Sequence, residues 1–263
     1  MSKRVSRRDF ARMMAVGGAS LFSASLISKL FAAENLAGDA RRAGFGDPQL
    51  EKGSLSTWGR LKFRCVNGDG TDWSVHPYGD INLIQQINDV TTSSISETWH
   101  VADIGSLDEM AKFPLLFMHA ENTADLTPQE VRNLREYLLR GGFLYAEDCV
   151  MGKCHHHQGP GNWDFFFRGM LKTLRQIIPE ATCERLPLDH PIFSTYFDLP
   201  RGQPHMQGIA HGAFGLIHNK RLLAYLSPSD AHCGWASESF FGPEKTKECL
   251  KIGTNVYLYA MTH

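Results

Sequence analysis

The alternation of strand-like and helix-like segments most constrains the fold of this chain. Short apolar runs bounded by turn residues are typical of strands, and apolar residues recurring every three or four positions are typical of helices. The strand-like runs are RLKFRCV, ETWHVAD, PLLFMHA, FLYAED and RLLAYLS. Strands that alternate with helices in this way predict an α/β fold with a mainly parallel sheet and helices on both faces.

Helices are predicted between and after these runs. The clearest begins with Thr127 as N-cap, Pro128 in the first turn and Glu130 completing a capping box, and it ends at Gly141-Gly142. Its predicted inward stripe is Val131, Leu134, Leu138 and Leu139. Further helices are predicted in INLIQQINDVT, SLDEMAKF, NWDFFFRGMLKTLRQIIP and TKECLKIGTNVYLYAMTH.

Residues with useful chemistry follow several of the predicted strands. In open α/β sheets, binding sites form in the loops at the carboxyl ends of the strands. The loops contain NGDGTDW, HAEN, EDCVMGKCHHH and SPSDAHCGW. We therefore expect a pocket that includes Asp72, Trp73, Glu121, Cys149, Cys154, Asp230, Cys233 and Trp235.

Consecutive histidines follow the fourth strand and suggest a metal site. Imidazole and thiolate groups are good donors for zinc or copper. Because side chains alternate along an extended backbone, His155 and His157 would point together and leave His156 aside. We expect a divalent transition metal, preferably zinc, held by His119, Asp148, His155 and His157. The alternative is a solvated loop without a resident metal.

Catalytic roles are predicted for Glu147, Asp148 and His190. Adjacent carboxylates at a strand end can supply a general base or an oxygen ligand, and they can equally cap a helix or accept loop amide hydrogen bonds. His190 precedes Pro191, so its backbone is extended, and it either transfers protons or forms a structural turn. The pair His232 and Cys233 is more typical of a buried thiol than of a nucleophile, because sequence neighbours rarely face each other.

The overall charge limits the class of partner. The formal net charge is −1, with 27 basic and 28 acidic residues. A nucleic-acid-binding face normally requires an excess of lysine and arginine, so we expect no nucleic-acid partner.

The N-terminus resembles an export signal. SRRDFAR carries paired Arg7 and Arg8 with Phe10, as in a twin-arginine signal, and an apolar run follows. We expect a signal over residues 1–33, an arm over 34–58 and one α/β domain over 59–263. The expected partner is the twin-arginine translocase, the location is periplasmic, and membrane contact occurs only through an uncleaved signal. Six cysteines in such a compartment leave a native disulfide open.

The chain resembles a bacterial family known as domain of unknown function 4159. The resemblance covers about residue 61 to the C-terminus and is most specific in LREYLLRGGFLYAEDC followed by DHPIF. It implies a flavodoxin-like sheet of the class I glutamine amidotransferase-like superfamily. Cys149 lies in EDCVM without the glycine-flanked elbow of an amidotransferase, and no late His-x-Glu pair follows, so glutamine hydrolysis is not expected.

Two functions are consistent with these patterns. The first is an exported metal-dependent hydrolase acting on a small or carbohydrate-like substrate, in which Glu147 or His190 transfers protons. The second is a non-catalytic exported module that binds a ligand or a protein in the same crevice. Trp73, Trp163 and Trp235 would then offer rings for sugar stacking or a protein contact.

Overall fold

The described residues form an α/β fold with one mixed sheet. The computed structural model describes residues 56–150 and 164–263. Its strands are β1 (Ser56–Lys62), β2 (Ile95–Asp103), β3 (Leu115–Ala120), β4 (Phe143–Asp148), β5 (Thr182–Arg185), β6 (Phe214–His218) and β7 (Arg221–Ser227). Its helices are α1 (Tyr78–Val90), α2 (Leu107–Met110), α3 (Pro128–Leu139), α4 (Phe165–Ile177), α5 (Ala231–Ala236), α6 (Glu238–Phe241) and α7 (Pro243–Thr262). Short 3-10 turns lie at Asp72–Ser74 and Pro191–Phe193.

The sheet is mostly parallel, as the alternation predicts. The strand order within the described residues is β2-β1-β3-β4-β7-β6-β5. Neighbouring strands from β2 to β7 pair in parallel, whereas β6 pairs antiparallel with both β7 and β5. The carboxyl ends of β1, β2, β3, β4 and β7 therefore share one edge, which is where the predicted pocket residues are expected to meet.

The antiparallel extension of the sheet was not predicted from the sequence. Strand β5 has the sequence TCER, is short, and lacks a buried residue, so it carries no apolar signal. Strand β6 joins β7 through a tight turn in which Asn219 and Lys220 have positive φ angles. Strand β1 also begins at Ser56, within the predicted arm of residues 34–58, so the sheet starts three positions before the predicted boundary at residue 59.

Helix α3 has the predicted capping box but a different buried stripe. The Thr127 side chain accepts a hydrogen bond from the Glu130 backbone N–H, and the Glu130 carboxylate accepts one from the Thr127 backbone N–H. Leu134 and Leu138 are buried as predicted, but Leu139 is 38% exposed. Tyr137 takes the inward position because it lies three residues after Leu134. Its hydroxyl donates to the carbonyl of Phe113, just before β3, and to that of Phe143, the first residue of β4.

The parallel strands form the centre of the core. All six residues of β3 and all six residues of β4 are buried. Continuous burial of a strand requires helices on both faces of the sheet, so the ends of β3 and β4 open only toward the loops at the carboxyl edge. Among the described helices, none combines the length and apolarity needed to cross a membrane.

Candidate metal centre

Buried polar side chains are concentrated at the carboxyl edge of the sheet. His119 is the second-last residue of β3, Glu147 and Asp148 end β4, and Asp230 and His232 follow β7. All five are 0% exposed. Polar and charged groups are costly to bury unless they are paired or hold a ligand. Their concentration at one edge therefore identifies the candidate functional site.

Three of these groups are close enough to bind one metal ion. One donor atom each from His119, Cys149 and Asp230 lies within 4.8 Å of the other two. All three side chains are buried. Within residues 56–150 and 164–263, neither ring nitrogen of His119 has a hydrogen-bond partner, which is unusual for a fully buried imidazole. A metal ion bound to one of these nitrogens would satisfy it.

A second cysteine lies beside this set. The Sγ atoms of Cys149 and Cys233 are 3.7 Å apart. Two thiolates bound to one tetrahedral zinc ion at about 2.3 Å each lie about 3.8 Å apart, so the spacing suits shared coordination. No disulfide bond joins any of the described cysteines, which are Cys65, Cys149, Cys183, Cys233 and Cys249. The disulfide left open by the sequence is therefore absent among them.

The local backbone explains how these donors converge. In the parallel ladder between β3 and β4, His119 is the register partner of Glu147. Side chains at paired positions lie on the same face of a sheet, and alternation along the chain returns Cys149 to that face. Asp230 has φ 60° and ψ 33°, in the left-handed region, directly before α5. The Glu147 carboxylate accepts a 2.7 Å hydrogen bond from the Ala231 backbone N–H, which fixes this turn against β4.

Burial sets the protonation state of the donors in the absence of a cation. The pKa of His119 lies well below its usual value because of burial and then the neighbouring His232 and Arg60, so the imidazole is neutral. The neighbouring Cys233 side chain and burial raise the pKa of Cys149. Burial raises the pKa of Asp230 to about 7, although hydrogen bonds from Cys233, Gln207 and Cys149 oppose this. A divalent cation would reverse the shifts of the thiol and the carboxyl.

Further carboxyl groups surround the donors. Burial raises the pKa of Glu147 well above its usual value. Burial and the nearby Asp164, Asp230 and Glu147 raise the pKa of Asp148 in the same direction. This accumulation of buried acids is the electrostatic environment in which a bound cation stabilises the folded chain.

Asp148 is not a member of the cluster formed by His119, Cys149 and Asp230, and its role as a ligand beside His155 and His157 stays a prediction. It is the residue after Glu147 in β4, so alternation directs its side chain to the other face of the sheet. The Phe167 backbone N–H, in the first turn of α4, lies near the Asp148 carboxyl and partly opposes the rise of its pKa. Asp230 supplies the carboxylate of the donor set instead.

His190 also lies outside the donor set. It is the N-cap of the Pro191–Phe193 turn, and its Nδ1 accepts a hydrogen bond from the Ile192 backbone N–H. Its ring packs against Tyr259 near the end of α7, with centroids 5.6 Å apart. Burial lowers its pKa. These contacts are those of the structural turn, one of the two alternatives predicted for this residue.

The remaining pocket residues divide into an open group and a buried group. Asp72 and Glu121 line a cavity of about 490 Å³ beside the loop that follows β1. Glu121 also connects this cavity to the donor set, because its Oε1 lies 3.9 Å from the Cys149 Sγ. Trp73 and Trp235 are buried at 6% and 1% exposure, so neither presents a ring for the predicted sugar stacking.

Several predicted features lie outside the described residues. These are Cys154, His155, His157 and Trp163, the signal segment over residues 1–33 and most of the arm. The histidine cluster therefore stays a prediction, and the donor set of His119, Cys149 and Asp230 is independent of it.

A buried ionic network, not predicted from the sequence, lies behind His119. The Asp80 carboxylate accepts a 2.6 Å hydrogen bond from the Trp58 indole N–H and is 3.3 Å from the Arg60 guanidinium. The Nε2 atom of His232 is 3.2 Å from the same carboxylate, and the His232 and His119 ring centroids are 4.1 Å apart. Arg60 is one of three basic residues in RLKFRCV, so the sequence alone does not distinguish it as the buried one.

One comparison with known proteins identifies a relationship. A family model described as a domain of unknown function (DUF4159) matches residues 60–261. No curated protein matches the chain. The match spans all seven described strands except the first four residues of β1, and it includes every member of the donor set.

Proposed function

The chain belongs to the DUF4159 family, whose description assigns no reaction, and we propose that it is a metal-dependent hydrolase acting on a small or carbohydrate-like substrate. The observation that carries the proposal is the convergence of His119, Cys149 and Asp230 within 4.8 Å at the carboxyl edge of the sheet. Nitrogen, sulfur and carboxylate donors together favour zinc. Three protein ligands leave one position of a tetrahedral ion for water or substrate, which is the arrangement of catalytic zinc sites.

The surrounding residues suit hydrolysis. A zinc ion bound here would lower the pKa of a coordinated water molecule and would polarise the bond to be cleaved. Glu147 is the acid–base group that we assign to proton transfer, since it is the register partner of His119 and its carboxyl is fully buried beside the donor set. The cavity lined by Asp72 and Glu121 would admit the substrate beside Cys149.

The finer fold type and the export route are part of the same proposal. The parallel strands follow the order β2-β1-β3-β4-β7, which supports a flavodoxin-like sheet with its switch point between β1 and β3.

The pair Arg7-Arg8 supports export by the twin-arginine translocase to the periplasm. Fractionation of cells that produce the intact chain and the Arg7→Lys, Arg8→Lys variant tests the route; equal periplasmic recovery of both would reject it.

The metal is tested on protein purified without a histidine tag. We expect about one equivalent of zinc, iron, copper or manganese, and loss of most of it in His119→Gln, Cys149→Ser and Asp230→Asn. Metal below stoichiometric amounts, unchanged by these substitutions, contradicts the site.

Hydrolysis is tested separately on a panel of chromogenic esters and glycosides. The metal-loaded protein should exceed the Glu147→Gln variant by about 100-fold or more, the usual contribution of general acid–base catalysis; equal rates contradict the catalytic assignment.

One observation favours a binding module instead. The donors are almost inaccessible, and Cys233 is placed to act as a fourth protein ligand, which would close the coordination sphere as in structural zinc sites. The variant Cys233→Ala distinguishes the two functions. Retention of one equivalent of metal supports the open, catalytic site, and its loss supports a closed site in a ligand- or protein-binding module.

A further inference from the structure

A second cavity lies on the side of the sheet edge next to β7. It has a volume of about 590 Å³, within the range of about 300–1,000 Å³ common for small-molecule sites. Its walls come from the end of β5, from the loop between Phe193 and Ala213, and from the first turns of α7. Ser229 also lines it, one residue before Asp230 of the donor set.

Cationic side chains dominate the charge of this cavity. Among the described residues, its lining includes Arg185, Arg201, Lys245 and Lys251, and its acidic members are Asp198 and Glu248. Arg201 and Glu248 pair at 2.7 Å, which leaves three cations and one carboxylate. The whole chain has a formal charge of −1, so this cationic surface is a local feature.

The positions of the cations are defined by local contacts. Lys245 lies over the Phe241 ring at 6.0 Å, and Lys251 lies over the Phe197 ring at 5.5 Å. Arg185 packs closely over Gly212, where an added Cβ would be 2.7 Å from the Arg185 Nε. Such packing lowers the side-chain entropy that is lost when a cation binds a ligand.

Ser229 provides an independent indication of a ligand. Its side chain is 1% exposed, and its Oγ has no hydrogen-bond partner in the described part of the chain. The backbone around it is fixed: the Ser229 carbonyl accepts a hydrogen bond from the Met206 N–H, and its own N–H donates to the Ser227 hydroxyl. A buried hydroxyl without a partner costs free energy unless something in the cavity binds it.

We propose that this cavity binds a small organic anion, with the carboxylate or phosphate group held by Arg185, Lys245 and Lys251 and a hydroxyl or anionic oxygen bound to Ser229. The site is distinct from the metal centre, and binding of the anion does not require a metal. Because Ser229 precedes Asp230, a ligand in this cavity also lies next to the proposed hydrolytic centre.

The test follows the backbone amide NMR signals of the isotope-labelled full chain during titration with glucuronate, glucose or inorganic phosphate. Glucuronate should shift the signals of Ser229 and Gly212, and glucose, its uncharged counterpart, should not. Phosphate separates the two anionic groups: binding of phosphate with glucuronate assigns a general anion site, and binding of glucuronate alone assigns a carboxylate site. Equal effects of glucuronate and glucose, or no effect of either anion, would overturn the proposal.

Charge-neutral variants give the matched comparison. The double variant Lys245→Gln, Lys251→Gln should weaken anion binding about tenfold or more, since each charged hydrogen bond lost is worth a severalfold change in affinity. Lys172→Gln changes an exposed lysine on α4 that does not line the cavity, and it should leave binding unchanged. Equal affinities of the two variants would contradict the assigned cations. The same titration of metal-free protein should give an unchanged anion affinity. The test of anion binding is therefore independent of the test of metal binding.

Discussion

Replacement of Asp80 by asparagine is expected to lower the free energy of unfolding by about 3–5 kcal/mol, the usual cost of removing one partner from a buried ion pair. Asp80 and Arg60 are both 0% exposed, so the substitution leaves the guanidinium buried without its counter-charge. It also replaces the charged acceptor of the Trp58 indole N–H and of the His232 ring. Urea unfolding, monitored by tryptophan fluorescence and by circular dichroism, measures the change.

A matched control is available in the same helix. Asp89 is exposed near the end of α1, and Asp89→Asn should change stability by less than about 0.5 kcal/mol. If Asp80→Asn and Asp89→Asn have the same effect, the network contributes nothing to stability. A second variant, Arg60→Met combined with Asp80→Asn, should be more stable than Asp80→Asn alone, because it removes the uncompensated charge.

Removal of the metal is expected to lower the melting temperature by about 8–16 °C. Binding to the folded state alone adds about 4 kcal/mol at a ligand concentration 1,000 times the dissociation constant, and about 2–4 °C follow from each kcal/mol in a domain of this size. Thermal unfolding with and without a chelator measures the difference.

Two cysteine variants make this result specific. Cys149→Ser should melt near the temperature of the chelated protein and should no longer respond to the chelator. Cys183→Ser, on the short edge strand β5, should respond as the unchanged chain does. A chelator response that persists in Cys149→Ser would place the stabilising metal elsewhere.

The fold could be predicted from local patterns where the signal was apolar. Strands β3, β4 and β7 are short buried runs, and both their existence and their common edge followed from the period of the hydrophobic residues. Strand β5 could not be predicted because its residues are polar and at most half-buried; it is defined only by its backbone pairing with β6.

The location of the site at the sheet edge could be predicted, but the set of metal ligands could not. His119, Cys149 and Asp230 were all expected at the sheet edge, yet the choice of ligand required the ladder register that pairs His119 with Glu147. Because successive side chains of a strand point to opposite faces of the sheet, Asp148 is expected on the face opposite to Glu147 and Cys149. This expectation could be derived from the sequence EDC alone. The network of Trp58, Arg60, Asp80 and His232 could not be predicted, since only tertiary packing brings these residues together.

The origin of the donors in three distant segments has a consequence for biosynthesis. His119 lies in β3, Cys149 follows β4 and Asp230 follows β7, which is the last of the described strands. A nascent fragment that ends before β7 lacks the third donor, so tight capture of the ion has to await synthesis of the chain through Asp230. Occupancy of the centre would thereby report that the three segments supplying the donors are correctly assembled.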